Sequence, residues 1–214
     1  MHFDDGRKSM NQPQAVDRRI ARTRLAIQNA LVALIKEKGL DAITVRDIVT
    51  LANINRGTFY LHYKDKYDLL EQTEAEILQD IQNLFMQAKA TRAEETNGTE
   101  QLQQLLIQIL GYVKDHAELM HAILGLQGKY SFITRFQRTV EKNLNLEILA
   151  GLKVDKFLVP KEYLIAYVLH ANLGVLQAWL AGNCQEPPRE IARVLFRLSF
   201  DGPMRAAGLE IHKA

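Results

Sequence analysis

A run of polar and aromatic side chains in the first third of the chain has the chemistry needed to bind a polyanion. The guanidinium of Arg56 can form a bidentate pair with O6 and N7 of guanine. Gly57 leaves room for the backbone to approach a partner closely. The hydroxyl of Thr58 can donate to a phosphate, and its methyl group can contact thymine. The hydroxyl of Tyr60 and the imidazole of His62 suit phosphate oxygens, which set the register of a protein on DNA.

Two short helices are needed to present these side chains on one surface. Thr44 is a good N-cap for the first helix, because its hydroxyl can accept from a free backbone N–H. The apolar face of this helix has helical spacing and comprises Val45, Ile48, Val49 and Ala52. Residues 53–55 break the pattern, and Asn55 can cap a second helix whose core anchor is Phe59. Two helices joined by a three-residue turn are typical of a helix-turn-helix.

The run Asn55-Arg56-Gly57-Thr58-Phe59-Tyr60-Leu61-His62-Tyr63, with Lys66, resembles the DNA-binding signature of the TetR/AcrR family of bacterial transcription regulators. The match continues unbroken through Leu70. The resemblance implies that Lys66 binds phosphate and that Arg46 reaches a base or a phosphate. The predicted DNA-binding residues are Thr44, Arg46, Asn55, Arg56, Gly57, Thr58, Tyr60, His62, Tyr63 and Lys66.

Several of these assignments have a structural alternative. Arg56 could be a solvated surface arginine, and Tyr60 could be a half-buried core tyrosine. Tyr63 could equally pack the second helix onto its neighbours. Lys66 could form an ion pair with a nearby acid in place of a phosphate contact.

The charge distribution favours a polyanionic partner for the N-terminal part alone. Residues 1–66 hold 12 Lys/Arg and 7 Asp/Glu, whereas the remaining residues hold 15 and 18. A basic segment on a mildly acidic body is the electrostatic pattern of a nucleic-acid-binding domain. Chance scatter in a small count is the alternative explanation.

The rest of the chain has helical periodicity and no strand alternation, which predicts an all-α protein. A helix capped by Asp17 should carry Ile20 on its buried face and arginines in its first turns. The resemblance implies that these arginines lie near the DNA backbone. Gly39 should end this helix. Further helices are predicted at about 65–88, 100–124, 131–150, 161–181 and 188–207.

The expected organisation is an N-terminal three-helix helix-turn-helix DNA-binding domain followed by a C-terminal helical ligand-binding and dimerisation domain. Residues 1–14 are predicted to be a flexible arm, residues 15–66 the DNA-binding domain, and residues 67–214 the regulatory and dimerisation domain. The helix that starts at Asp65 leaves the helix-turn-helix without a linker, so it should couple the two domains mechanically.

Helices 161–181 and 188–207 are the predicted homodimer surface. The first is apolar almost all round and should therefore be covered on every side. His170, Asn172 and Gln177 within it favour a buried helix over a membrane span. The family that the chain resembles dimerises through its last two long helices, and a dimer reads a palindrome. The alternative is that 161–181 is the core helix of a single chain.

A small-molecule effector bound in the C-terminal domain is implied by the resemblance, because members usually release DNA on binding one. Candidate ligand-binding residues are aromatic or polar groups on otherwise apolar faces: Tyr112, His116, Phe132, Phe136, Tyr163, Tyr167, His170 and Trp179. Each could instead be an ordinary core residue, and a partner protein could replace the small molecule. The effector's identity is left open.

Other classes of function have little support in the sequence. No Gly-rich phosphate loop, nucleophile elbow or metal-ligand cluster is present, so we predict no enzyme, cofactor or metal. Cys184 is the single cysteine, and no signal peptide is recognisable, which predicts a cytoplasmic protein. The leading hypothesis is a homodimeric repressor of a palindromic operator. An activator, a regulator that responds to a partner protein and a helical protein-interaction module are the alternatives.

Overall fold

The computed structural model describes residues 12–90, 98–124, 130–143 and 157–209. Every regular element within these ranges is a helix, which confirms the predicted all-α fold. The helices are α1 (Gln12–Ala42), α2 (Val45–Leu51), α3 (Arg56–Tyr60), α4 (Lys66–Ala90), α5 (Gly98–Asp115), α6 (Ala117–Leu124), α7 (Tyr130–Asn143), α8 (Lys161–Ala181), α9 (Pro188–Phe200) and α10 (Pro203–Ala206). Most of the predicted arm, a turn at 125–128 and parts of the connections at 91–99 and 151–159 lie outside the described residues.

The chain divides into two compact units, Met1–Thr73 and Glu74–Ala214, so the division falls within α4. The sequence placed the domain boundary after residue 66, and that boundary remains a prediction.

The first unit has a small apolar core beneath α2 and α3. α1 contributes Ile27 and Leu31, and Ile48 of α2 and Phe59 of α3 are likewise fully buried. From Arg18 onward the first buried side chain of α1 is Ile27, and Ile20, which was predicted to be in the core, is 42% exposed. The apolar face of α1 therefore extends further towards the N-terminus than the core against which the helix packs.

α1 begins earlier than the sequence indicated and is interrupted where it was predicted to end. It starts at Gln12, so Asp17 lies inside the helix and is not its cap. Pro13 does not prevent this start, because a proline is tolerated in the first helical turn. Gly39 has φ 73° and ψ 157°, which breaks the regular helix at the predicted position. This left-handed φ is accessible to glycine without strain.

The core of the second unit is built by α5 packed against α9, with α8 against α6 and α7. Its fully buried side chains include Ile81 of α4, Val113 of α5 and Phe132 of α7. The predicted single helix over 100–124 is broken at His116 into α5 and α6. Neither Gly nor Pro marks this break, so the sequence offered no signal for it.

A charged pair lies inside the second unit. Arg135 of α7 donates from Nη2 to the Glu74 carboxylate, whose side chain is only 5% exposed. A buried carboxylate without such a cation would be strongly destabilising. The pair therefore fixes α7 against the part of α4 that belongs to the same unit.

The sequence predicted that α8 is covered on every side. Within the single chain it is not, because one side of the helix is exposed. By length and hydropathy alone, α8 could cross a membrane. Only 22% of its most apolar segment is buried, whereas the core helix of a single chain would be mostly buried. Leu173, Leu176 and Trp179 face the core, whereas Tyr163 is 70% and Tyr167 54% exposed. The alternative that α8 is simply the core helix of one chain is therefore not supported.

The C-terminal helix, predicted over 188–207, is divided directly before Pro203. α9 stops at Phe200, and Gly202, with φ 81°, separates it from the short α10 that Pro203 begins. Pro203 lacks the N–H that a continuing helix would require.

Candidate nucleic-acid interface

The start of α2 is fixed by a capping box. Thr44 Oγ1 accepts from Asp47 N at 3.2 Å, while Asp47 Oδ2 accepts from Thr44 N and Thr44 Oγ1, both at 2.8 Å. Lys38 Nζ lies 2.9 Å from the same carboxylate oxygen. Hydrogen bonds from Lys38 and then Thr44 lower the pKa of Asp47 from 3.8 to about 2. The predicted N-cap is confirmed, but its hydroxyl and N–H are already engaged by Asp47.

The turn between α2 and α3 depends on one left-handed residue. Asn53 has φ 51°, a conformation that asparagine adopts more readily than most residues. The N–H of Ile54 returns to Val49 O at 3.0 Å and closes the end of α2. Asn55 occupies the N-cap position of α3 but makes no side-chain capping bond there, contrary to the prediction. Its exposed amide is consequently not committed to the helix end.

α3 is oriented by two buried aromatic rings. Phe59 is 0% and Tyr63 1% exposed, and their ring centroids lie 5.7 Å apart. The opposite side of α3 is exposed and carries Arg56, Gly57 and Tyr60. The predicted pairing of a core anchor with an exposed polar surface is present on this short helix.

Arg56 and Tyr60 form a connected pair on the exposed side. Arg56 donates to Tyr60 Oη from Nε at 3.3 Å and from Nη2 at 3.1 Å. The guanidinium carbon lies 5.6 Å from the Tyr60 ring centroid. An arginine has five N–H donors, so this contact leaves donors available for a base.

Tyr63 has a packing role. Its ring lies beneath the Arg24 guanidinium, whose carbon is 5.8 Å from the ring centroid. The Tyr63 side chain is only 1% exposed and therefore cannot contact DNA in this conformation. The prediction that it is a DNA contact is not supported. The sequence left both roles open, because an aromatic residue at a helix end suits either.

Lys66 also differs from its predicted role. Its ammonium donates to the carbonyl oxygens of Leu40 at 3.0 Å, Asp41 at 2.9 Å and Ile43 at 2.8 Å. An ammonium has three N–H donors, and all three are used here. The bonds cross more than twenty positions of sequence, which no local pattern reveals. Neither a phosphate contact nor an ion pair with an acid describes this geometry.

The remaining predicted contacts lie around α3. Arg46 of α2 is exposed, and Thr58 and His62 are partly buried. The exposed residues near the start of α1 include Arg18, Arg19 and Arg22, which belong to the same unit. The first unit therefore combines a polar recognition surface with exposed cations on its longest helix.

The predicted effector residues do not share one location. Phe132, Phe136 and Trp179 are buried in the core of the second unit. Trp179 Nε1 donates to Glu186 O at 3.3 Å, which satisfies its polar atom. Tyr112 is partly buried and donates to Asp80 Oδ2 at 2.9 Å. Burial raises the pKa of its hydroxyl above the usual range, and the Asp80 carboxylate adds to the shift.

The other four predicted effector residues are exposed. His116 lies against Tyr112, with ring centroids 4.3 Å apart, and Tyr163, Tyr167 and His170 lie on the open side of α8. A cleft of about 350 Å³ in the second unit is lined by a different set: Gln103, Arg193, Val194, Phe196, Arg197 and Asp201. Sequence reasoning missed these residues because Gln103 lies in α5 and the others lie in α9 or, for Asp201, directly after it, and these two parts of the chain are distant in sequence.

Comparison with known proteins gives two family matches. Residues 27–73 match the model of bacterial regulatory proteins of the tetR family, and residues 100–201 match a transcriptional regulator C-terminal region named TetR_C_8. Together the matches cover more than two thirds of the chain. An uncharacterized HTH-type transcriptional regulator, YxbF of Bacillus subtilis, is 21% identical over 173 residues. That alignment spans 80% of this chain but only 43% of the relative, so the chain matches less than half of it.

Solved structures share the fold. A TetR transcriptional regulator from Streptococcus agalactiae matches with a TM-score of 0.59 and 24% identity, over 87% of this chain and 98% of that one. The regulator FadR from Bacillus subtilis, solved in complex with stearoyl-CoA, matches with a TM-score of 0.62 and 19% identity, over 83% and 98%. The N-terminal match, the C-terminal match and the helix-turn-helix geometry agree: the chain belongs to the TetR family of bacterial transcriptional regulators.

Proposed function

We propose that this protein is a cytoplasmic transcriptional repressor that binds a palindromic DNA operator as a homodimer. The observation that carries the proposal is the exposed polar side of α3 above the buried Phe59 and Tyr63 rings. The major groove admits a helix, and residues at the helix N-terminus reach the base edges. Arg56, the first residue of α3, is therefore the proposed base-reading residue.

The other proposed contacts divide by chemistry. The Asn55 amide and the Thr58 side chain flank Arg56 and suit base edges. No heavy atom lies within 4 Å of the position that a Cβ would occupy at Gly57, so the backbone there permits close approach. Tyr60, His62, Arg46 and the Thr44 end of α2 suit phosphates. Because Asp47 already accepts from Thr44, a phosphate there has to displace a carboxylate or bind beside it.

Selection of bound sequences from random duplexes tests this function directly. We expect recovery of a palindrome, since two identical recognition helices read two half-sites about 34–36 Å apart. A matched selection should use the protein with Arg56→Ala and Tyr60→Ala together. Recovery of no consensus by the unaltered protein, or of the same consensus by both proteins, would contradict the proposal.

The open side of α8 supports the homodimer. Tyr163, Tyr167 and His170 are followed at helical spacing by Gly174 and Ala178, all of them exposed. Small residues let two helices approach closely, and the two tyrosines add apolar area at one end. A symmetric partner would cover this side with the same side of its own α8, joined by exposed parts of α9.

Gly174→Glu tests the dimer with little effect on the single chain, because nothing lies within 4 Å of a Cβ at this position. Gly111→Glu on α5 is the matched control, since its Cβ position is equally open. We expect light scattering to give a dimer mass for the unaltered protein and the control, and a monomer mass for Gly174→Glu. A monomeric unaltered protein at micromolar concentration would refute the dimer.

Release of DNA by an effector in the second unit completes the proposal. FadR of Bacillus subtilis, which has the same fold, was solved with stearoyl-CoA, so acyl-CoA thioesters are the first class to test. Addition of an acyl-CoA series to a preformed protein–DNA complex should lower the bound fraction for one chain length. A regulator controlled by a partner protein is the alternative, favoured if no small molecule releases the DNA.

A further inference from the structure

We propose that Lys66 is a positioning residue that sets the orientation of the helix-turn-helix and does not contact DNA. The predicted change in DNA affinity rests on the proposed function, whereas the predicted change in thermal stability rests on the structure alone. Its basis is the set of three hydrogen bonds from the Lys66 ammonium to Leu40, Asp41 and Ile43 carbonyls.

Leu40 and Asp41 lie at the end of α1, after its interruption at Gly39, and Ile43 lies in the connection to α2. Gly39 interrupts α1, so the two following residues turn away from the regular helix. Carbonyls at a helix end carry partial negative charge and lack intrahelical partners. Ile43 is 1% exposed and immediately precedes the Thr44 cap, so a bond to its carbonyl fixes the point at which α2 begins.

The location of Lys66 in its own helix makes a purely local role unfavourable. It is the first residue of α4, where the helix dipole is positive and disfavours a cation. Asp65 already caps this end, because its Oδ1 accepts from Tyr67 N and Asp68 N, both at 2.8 Å. The ammonium is therefore held by the distant carbonyls, and it joins the start of α4 to the start of α2.

This connection brackets the recognition helix. α2 precedes α3 and α4 follows it, so a bond between the starts of α2 and α4 closes the segment that contains α3. Loss of the bond should let α2 shift relative to the Phe59 and Tyr63 anchors. The expected result is a misplaced recognition surface with every charged DNA contact still present.

Two substitutions separate this role from phosphate binding. Lys66→Met removes the charge but keeps most of the chain length, and Lys66→Arg keeps the charge but replaces three tetrahedral donors by a planar group. We expect both to lower the thermal midpoint and to weaken binding to the selected operator by about tenfold, or about 1.4 kcal/mol. The loss on random duplex should be smaller, because that binding depends on the charged contacts that remain. The slope of affinity against salt concentration should not change for either.

Lys64→Met is the control, since Lys64 is exposed and carries the same charge two positions earlier. It should leave the thermal midpoint unchanged. The proposal is overturned if Lys66→Met leaves the midpoint unchanged, if it flattens the salt slope by about one unit, or if Lys66→Arg binds DNA as the unaltered protein does. Absence of DNA binding by the unaltered protein would refute the proposed function instead, and the thermal midpoints would still test the role of Lys66.

Discussion

The two units present opposite kinds of surface. In the first, polar side chains that face solvent are paired with one another before any partner binds: Arg56 with Tyr60, Thr44 with Asp47, and Lys38 with Asp47. In the second, the open side of α8 is apolar and has tyrosines at more than half exposure. Pre-arranged polar groups suit a charged partner of fixed geometry, whereas an apolar helix side suits a second helix. The difference supports the proposed division of roles, with DNA recognition in the first unit and dimerisation in the second.

The largest effect should come from removing the aromatic anchor of α3. Phe59→Ala leaves a cavity at a fully buried position and should destabilise the first unit by about 3–5 kcal/mol. Urea unfolding followed by circular dichroism measures this loss. The single tryptophan, Trp179, is buried in the second unit, so its fluorescence reports that unit separately.

Leu61→Ala is the control for this prediction, because Leu61 is 82% exposed and should change stability by less than about 0.5 kcal/mol. If Phe59→Ala unfolded both units at the same urea concentration, the two units would not be energetically distinct. The two units would then have to be regarded as one cooperative folding unit.

A smaller effect is expected from Arg56→Ala, which should cost about 1–3 kcal/mol of operator binding and relax the preference at one base pair per half-site. Its physical cause is the loss of the bidentate contact to guanine. Binding titrations on the selected operator and on single-base variants measure it. Arg18→Ala, on the exposed start of α1, should weaken operator and random duplex alike and reduce the salt slope. An equal loss on all duplexes for Arg56→Ala would show that Arg56 contacts only phosphate.

Tyr60→Phe should have a smaller effect still, about 1 kcal/mol, since it removes only the hydroxyl that accepts from Arg56. The loss should be smaller when Arg56 is already alanine, because the part that depends on the contact with Arg56 is then absent. A double-mutant cycle measures this coupling. Fully additive losses would indicate that the Tyr60 hydroxyl binds phosphate independently and that Arg56 is not pre-arranged.

The smallest effect concerns acid stability. The pKa of Asp47 is about 2 in the folded chain and near 3.8 without its partners, so its ionised form stabilises the first unit above about pH 4. That contribution should decline as the pH falls from about 4 towards 2. Urea unfolding at several pH values measures the decline, and Asp47→Asn should remove it. An unchanged slope in Asp47→Asn would mean that other carboxylates cause the acid sensitivity.

Local patterns predicted the first unit closely. The Thr44 cap, the break at residues 53–55, the Phe59 anchor and the Gly39 interruption all follow from spacing and from residue types with strong backbone preferences. The second unit was predicted less well. The break at His116 lacks a Gly or Pro, and the cleft residues of α5 and α9 meet only after the chain has folded.

By itself, the sequence determined the all-α fold, the helix-turn-helix and the polar side chains on α3, because these depend on periodicity and on neighbours within a few residues. Only the tertiary structure decided which polar groups are free to act. Tyr63 is buried beneath Arg24, and Lys66 donates to carbonyls more than twenty positions away. Tertiary packing also decided that α8 has an open side, because burial of an apolar helix depends on which neighbours reach it. The type of a residue determines which bonds it can form. Which of these bonds it does form depends on the segments, remote in sequence, that the fold places beside it.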